Sequence, residues 1–172
     1  MKAQDAISRF RRDSALSLFL KGVLGVGAAL VLMLHFVPLG RSISPSLLLM
    51  ALGMIWLALW YRTIKGSRLA AESSTLIASG RLEQAEEQIE QSLRSFSMSR
   101  SVKSLGLLNL ALVRLAQKRW PDTAMLCREL LAGKKQPSEH VSKSGRLMLA
   151  DSLLEMGDLR ATHEALSGLY QH

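Results

Sequence analysis

Residues 22–61 form a run of forty with a single charged side chain, Arg41, and no other feature limits the folding of this chain so tightly. The run divides at Pro38-Leu39-Gly40-Arg41-Ser42, a turn-like cluster. On its near side Gly22 to Gly40 is interrupted only by His35, and on its far side Ile43 to Tyr61 has no charge. A helix of nineteen residues is about 28 Å long, close to the hydrocarbon thickness of a bilayer. Ser44 before Pro45 has the form of a cap followed by proline at the first helical position. The chain therefore reads as all-α, beginning with an antiparallel transmembrane hairpin. A basic flank occupies 1–15, spans cover 16–38 and 44–61 around a short outer loop at 39–43, and a domain fills 62–172. A soluble domain of 62–172 could hardly surround two all-apolar helices of this length. A cleaved signal peptide competes for the first run alone, but that run is long for a signal and no small-x-small site precedes the second. A retained anchor is expected.

Flanking charge gives orientation. The first 21 residues hold Lys2, Arg9, Arg11, Arg12 and Lys21, while Arg62, Lys65 and Arg68 follow the second span, and the loop holds only Arg41. Both termini are expected in the cytoplasm, across a bacterial-type inner membrane. Trp56, Trp60 and Tyr61 stand where an interfacial aromatic belt would lie, with Lys21, Arg62 and Lys65 completing the membrane boundary. Small residues at Gly22, Gly25, Ala28 and Ala29 suit a close contact within the hairpin, against Ala51, Gly53 and Ala58. Net charge separates into +3 over residues 1–21, +1 in the loop and +4 over 62–172, summing to the overall +8. That spread, with no aromatic–basic platform, speaks against nucleic acid as a partner and for lipid headgroups.

The remainder repeats. Blocks beginning at Ala78, Ala116 and Glu155 align at offsets of 38 and 39. In register, Gly80, Lys118 and Gly157 fall at a turn, and Leu82, Trp120 and Leu159 follow two residues later. Ala85, Thr123 and Thr162 make a small column. Ile89, Cys127 and Leu166 make a large one, and Leu93, Leu131 and Tyr170 a third. Seven residues before each turn residue stands another small one, Ser73, Ala111 or Ala150. Small residues on both helices of a pair let their axes approach, and large columns fill the groove against the next pair. Six short helices are expected, at 67–79, 82–96, 102–117, 121–132, 138–156 and 158–170.

Gly80-Arg81-Leu82-Glu83-Gln84-Ala85 and Gly157-Asp158-Leu159 make this region, about 67–171, resemble the tetratricopeptide repeat. The middle block, Lys118-Arg119-Trp120, lacks the glycine, and the period exceeds the 34 residues of that family. The resemblance implies a solenoid of about three helix pairs acting as a scaffold, with a protein or peptide partner on the inner surface formed by the first helix of each pair. It puts the candidate contacts at Ser73, Arg114, Lys143 and Arg146. An accessory or assembly subunit of a larger transport or respiratory complex, working mainly through its hairpin, is the competing expectation. With no capping helix after Tyr170, homo-oligomerisation or a partner at that end is also open.

No catalytic constellation is legible, and a non-enzymatic protein without cofactor or metal is expected. His163-Glu164 opens like a zinc-protease motif, but position 167 is serine where a second histidine is needed. Cys127 sits in a core column and reads as a buried thiol. His35 lies inside a span near its outer end. Glu83, Glu86, Glu87 and Glu90 share one helical face, which reads as solvated and could alternatively receive a basic peptide.

Overall fold

The computed structural model describes residues 2–36, 45–95, 97, 99–132 and 137–169. These form seven α-helices and no strand: α1 (Ala3–Phe36), α2 (Pro45–Ala78), α3 (Leu82–Arg94), α4 (Arg100–Ala116), α5 (Trp120–Leu131), α6 (Glu139–Glu155) and α7 (Leu159–Ser167). The loop at 39–43 and Tyr170 lie outside the described residues, as does the side chain of His35.

From α2 onward the helices pair as α2 with α3, α4 with α5 and α6 with α7. One turn closes all three pairs. Gly80, Lys118 and Gly157 adopt the left-handed conformation at φ of 76°, 58° and 80°. Their amides donate to the carbonyls of Ile77, Leu115 and Leu154, and the next amides reach back five residues, to Leu76, Arg114 and Leu153. That bond pair is the Schellman ending, which satisfies the last carbonyls of a helix and turns the chain sharply. The next residue but one, Leu82, Trp120 or Leu159, opens the second helix. Lys118 takes this conformation despite its β-carbon, at a cost of about 1 kcal/mol relative to glycine. Its side chain is exposed, so little is lost on removing it. Lys118→Gly is expected to raise unfolding stability by about 1 kcal/mol, read as a higher urea midpoint in detergent micelles; a lower midpoint would contradict the turn assignment.

The small columns lie inside the pairs. Ser73, Ala111, Ala150, Ala85, Thr123 and Thr162 are all buried, as are Ile89 and Cys127 from the large column. Between pairs, α4 packs on both α2 and α3, and α6 on both α4 and α5. Gly106 and Gly145, 39 residues apart, admit the preceding second helix: a β-carbon there would stand 3.1 Å from Leu93 and from Leu130 respectively.

The two long helices depart from the expected layout. α2 runs from the second apolar segment into the first pair as one helix of 34 residues, with no break between 61 and 67. Gly66 is a packing seat within it, its carbonyl accepting from Ser92 Oγ at 3.1 Å. α1 begins at Ala3, so the basic flank is helical and continuous with the first apolar run. Within it Ala3, Ala6, Phe10, Asp13 and Ser17 are buried at intervals of three and four residues, the spacing of one helical face. That face packs on α3, α4 and α5.

Beyond this body α1 and α2 touch each other but bury little. Of the apolar windows long enough to cross a membrane, 11% of the first and none of the second is buried inside the chain. Leu18, Phe19, Met33, Leu47, Met50 and Leu57 are each more than 60% exposed. The glycines do not serve the contact as expected. A β-carbon at Gly22, Gly25 or Gly53 would meet nothing within 4 Å, and only Gly27 approaches the other helix, 3.9 Å from Leu52 Cδ2.

Candidate functional site

The four candidate contact residues separate into two environments. Ser73 is fully buried in α2. Its hydroxyl donates to the Ala70 carbonyl at 2.9 Å and accepts from Asn109 Nδ2 of α4 at 2.9 Å. Asn109 Nδ2 also donates to Ala70 O at 2.8 Å, so this cluster joins the first helices of adjacent pairs. Arg114 is 3% exposed and forks onto Glu86 of α3, Nη1 to Oε2 at 2.9 Å and Nη2 to Oε1 at 2.5 Å, with Gln117 Oε1 at 2.6 Å from Nη1. Both residues are buried and engaged with their own chain inside the body. A polar residue on a first helix reads as solvent-facing in sequence, but here each lies where another pair stacks.

Lys143 and Arg146 come together at the other end of the body. Lys143 is exposed and pairs with Glu139 at 2.6 Å, one turn earlier in α6. Arg146 is half-buried, with Nη1 2.9 Å from where a β-carbon on Gly168 would lie. Both line a cleft of about 400 Å³ with Pro137, Ser142 and Leu169.

Burial opposes ionisation of Glu86, but hydrogen bonds and charge from Arg114, with a hydrogen bond from Gln117, prevail and hold its carboxyl at about 2, against an ordinary 4.5. A carboxyl depressed on folding stabilises above its unfolded value and loses that contribution as pH falls through its folded one. The advantage of the native chain over Glu86→Gln in urea midpoint is therefore expected to be full at pH 7 and to shrink between about pH 4.5 and pH 2. A constant difference across that window would refute the linkage. Of the other carboxylates on this face, Glu90 pairs with Arg94 at 2.6 Å, and Glu87 accepts from Gln91 at 3.5 Å.

A second buried pair has no signal in the local sequence pattern. Lys103, 3% exposed at the start of α4, donates to Leu93 O at 2.7 Å and Ser95 O at 2.5 Å, and lies 2.9 Å from Asp13 Oδ2 in α1. Burial pushes the Lys103 ammonium below its usual pKa, and the hydrogen bond and charge of Asp13 partly restore it. Near it Arg11 forks onto Glu129 of α5 at 2.7 and 2.5 Å, and the Arg100 guanidinium stands 5.7 Å from the Phe10 ring centroid. The N-terminal turns of α1 are thus tied to other helices by charge as well as by the Ala3–Ala6–Phe10 stripe.

At the proposed membrane boundary Lys21, Trp56, Trp60, Tyr61, Arg62 and Lys65 are all exposed. Trp56 to Lys65 covers about 14 Å of helix axis at 1.5 Å per residue. Cys127 is buried and its thiol is pushed up to about 12 by desolvation, which suits a packing residue and not a nucleophile. Among the described residues no group of three or more His, Cys, Asp or Glu is placed to hold a metal ion. Comparison with protein-family models, curated proteins and solved structures finds no match to this chain.

Proposed function

We propose that this chain is a non-enzymatic, membrane-anchored adaptor. Its helical pairs act as a tetratricopeptide-like solenoid that binds a protein or peptide at the cytoplasmic face of a bacterial-type inner membrane. The observation that carries this reading is the outward exposure of the apolar lengths of α1 and α2. Each large apolar side chain left in water forgoes about 1.5–3 kcal/mol of burial, and a contiguous exposed apolar surface of this kind marks a membrane or interaction site. A bilayer removes that cost and matches the length. Packing of residues 3–17 on α3, α4 and α5 favours a hairpin with both ends on one side, since α2 returns to the same body. The basic flanks select the cytoplasmic side. Because both helices enter the body without a linker, the adaptor would be held at a fixed height and orientation above the headgroups.

One observation favours the competing reading of an accessory subunit acting through its spans. An open apolar groove along α1, lined by Leu18, Phe19, Gly22, Val26, Gly27 and Leu30, could seat a helix of another membrane protein. Topology and partner capture test the pair. Single cysteines introduced at positions 2 and 160, in a Cys127→Ala background, are expected to resist a membrane-impermeant maleimide in intact cells and to label after permeabilisation. Labelling of either in intact cells would overturn the two-ended cytoplasmic arrangement. Partners lost on substituting the exposed body residues, and kept on substituting Gly22 and Val26, would support the adaptor; the reverse would support the accessory subunit.

A further inference from the structure

The repeat columns change their surroundings at the last pair. Ile89 and Cys127 are fully buried, but Leu166, in register with them, is 36% exposed. Leu82 and Trp120 are half-buried, and Leu159 is 68% exposed. First helices show the same step. Leu108 of α4 is 4% exposed and Leu115 half-buried, while Leu147 and Leu154, each 39 residues further on, are 54% and 52% exposed. In the first two junctions the covering element is the first helix of the following pair, α4 or α6, lying on both members of the pair before it. Among the described residues no element lies on the corresponding face of α6 and α7. The uncovered leucines therefore stand where a repeat of this geometry receives a helix.

Charge selects the kind of helix. Between Leu147 and Leu159 the chain carries Asp151, Glu155 and Asp158 and no basic residue, in a protein of net charge +8; of the two arginines that flank this stretch, Arg146 lies against Gly168 and Arg160 pairs with Glu164. All three carboxylates are exposed. A second copy docked through a two-fold axis would set this acidic face against itself, and like charges across an interface are costly. The first junction supplies a pattern for the opposite arrangement: Arg114 of the incoming α4 clamps Glu86 of α3. Over its whole length α4 carries Arg100, Lys103 and Arg114 and no acidic residue.

We infer that the outer face of α6 and α7, built on Leu147, Leu154 and Leu159 and edged by Asp151, Glu155 and Asp158, is a stacking site for a basic amphipathic helix of a partner protein. This deepens the adaptor reading and rests on it: the partner would complete the solenoid as a further first helix does, with its apolar stripe on the leucines and its basic residues on the carboxylates. Lys143, already paired with Glu139, lies one turn before Leu147 on the same helix.

The test uses the full chain in phosphatidylcholine nanodiscs, with a fluorescent peptide of residues 100–117 of this sequence as the probe. Saturable binding by anisotropy is expected, weakening with added salt. Leu147→Ser with Leu154→Ser, and separately Asp151→Lys with Glu155→Lys, should each weaken it about tenfold or more. All four positions are exposed, so the fold should survive. Absence of binding, or affinity unchanged from the native chain in both variants, would overturn the proposal. So would a dimer of the unliganded chain in sedimentation that Leu154→Ser dissolves, since that assigns the face to a second copy. Photo-crosslinking residues at Leu154 and at Glu83 in intact membranes separate this failure from that of the adaptor. Adducts from position 83 alone leave the adaptor standing without this face, and adducts from neither remove both.

Discussion

Replacing Lys103 with methionine is expected to destabilise the docked protein by about 3–5 kcal/mol, the usual cost of leaving one member of a buried ion pair without its partner. The ammonium has three donors, and the fold gives it three oxygens, Leu93 O, Ser95 O and Asp13 Oδ2. Methionine fills a similar volume, so the loss is electrostatic: a carboxylate whose side chain is 10% exposed and two carbonyls at the end of α3 would all lose their donor. The penalty has a cheaper outlet than global unfolding. Asp13 belongs to α1, whose N-terminal turns can lift off the body and carry the carboxylate into water. The expected signature is thus loss of amide hydrogen-exchange protection over residues 3–17 at a free energy below that of the body, measured on the full chain in nanodiscs. Asp13→Leu combined with Lys103→Met should recover much of the loss, because no unpaired charge then remains. Unchanged protection in the single variant would mean that the pair does not hold α1.

Helix pairing is legible in the sequence because it depends on contacts close along the chain. The turn at Gly80, Lys118 and Gly157 is visible as a spacing, and its backbone conformation is common to all three even where glycine is missing. The second helices begin at or next to the expected column, and the pair helices end within one to three residues of the limits read from turn residues. The uninterrupted course of α2 is not legible, because the composition changes at Arg62 from apolar to basic. Such a change marks a change of surroundings, while the backbone from Arg62 to Lys65 contains neither proline nor glycine and has no reason to stop being helical. The docking face of α1 is hidden for a related reason. Two of its five buried positions, Asp13 and Ser17, are polar, and the partner that makes Asp13 acceptable inside lies at Lys103. Of the candidate contacts, Ser73 and Arg114 read as surface in the sequence because their partners, Asn109 and Glu86, stand 36 and 28 residues away. A single sequence reports the polarity of a side chain well, and reports poorly which helix will stack upon it.

Arginine at both Gly25 and Gly53 is expected to remove the chain from the carbonate-resistant membrane fraction. These glycines are suited to the purpose because a β-carbon at either meets nothing within 4 Å. Both positions are exposed, and neither is the glycine at which α1 approaches α2, Gly27. For two surface helices of a water-soluble protein the change would be harmless: exposed substitutions usually move stability by less than about 0.5 kcal/mol, and arginine is a better helix former than glycine. In a bilayer the sign reverses. An arginine near the centre of a spanning helix costs about 2.5–3.5 kcal/mol on insertion, so the two together would oppose it by about 5–7 kcal/mol, roughly four to five powers of ten in the equilibrium. Water-soluble and spanning arrangements therefore predict opposite outcomes from one variant of unchanged length. Gly25→Ala with Gly53→Ala serves as the reference, since it adds the β-carbons without the charge and should leave extraction unchanged. Carbonate resistance of the arginine pair equal to that reference would sink the reading of α1 and α2 as membrane spans, and with it the fixed placement of the helical body above a membrane surface.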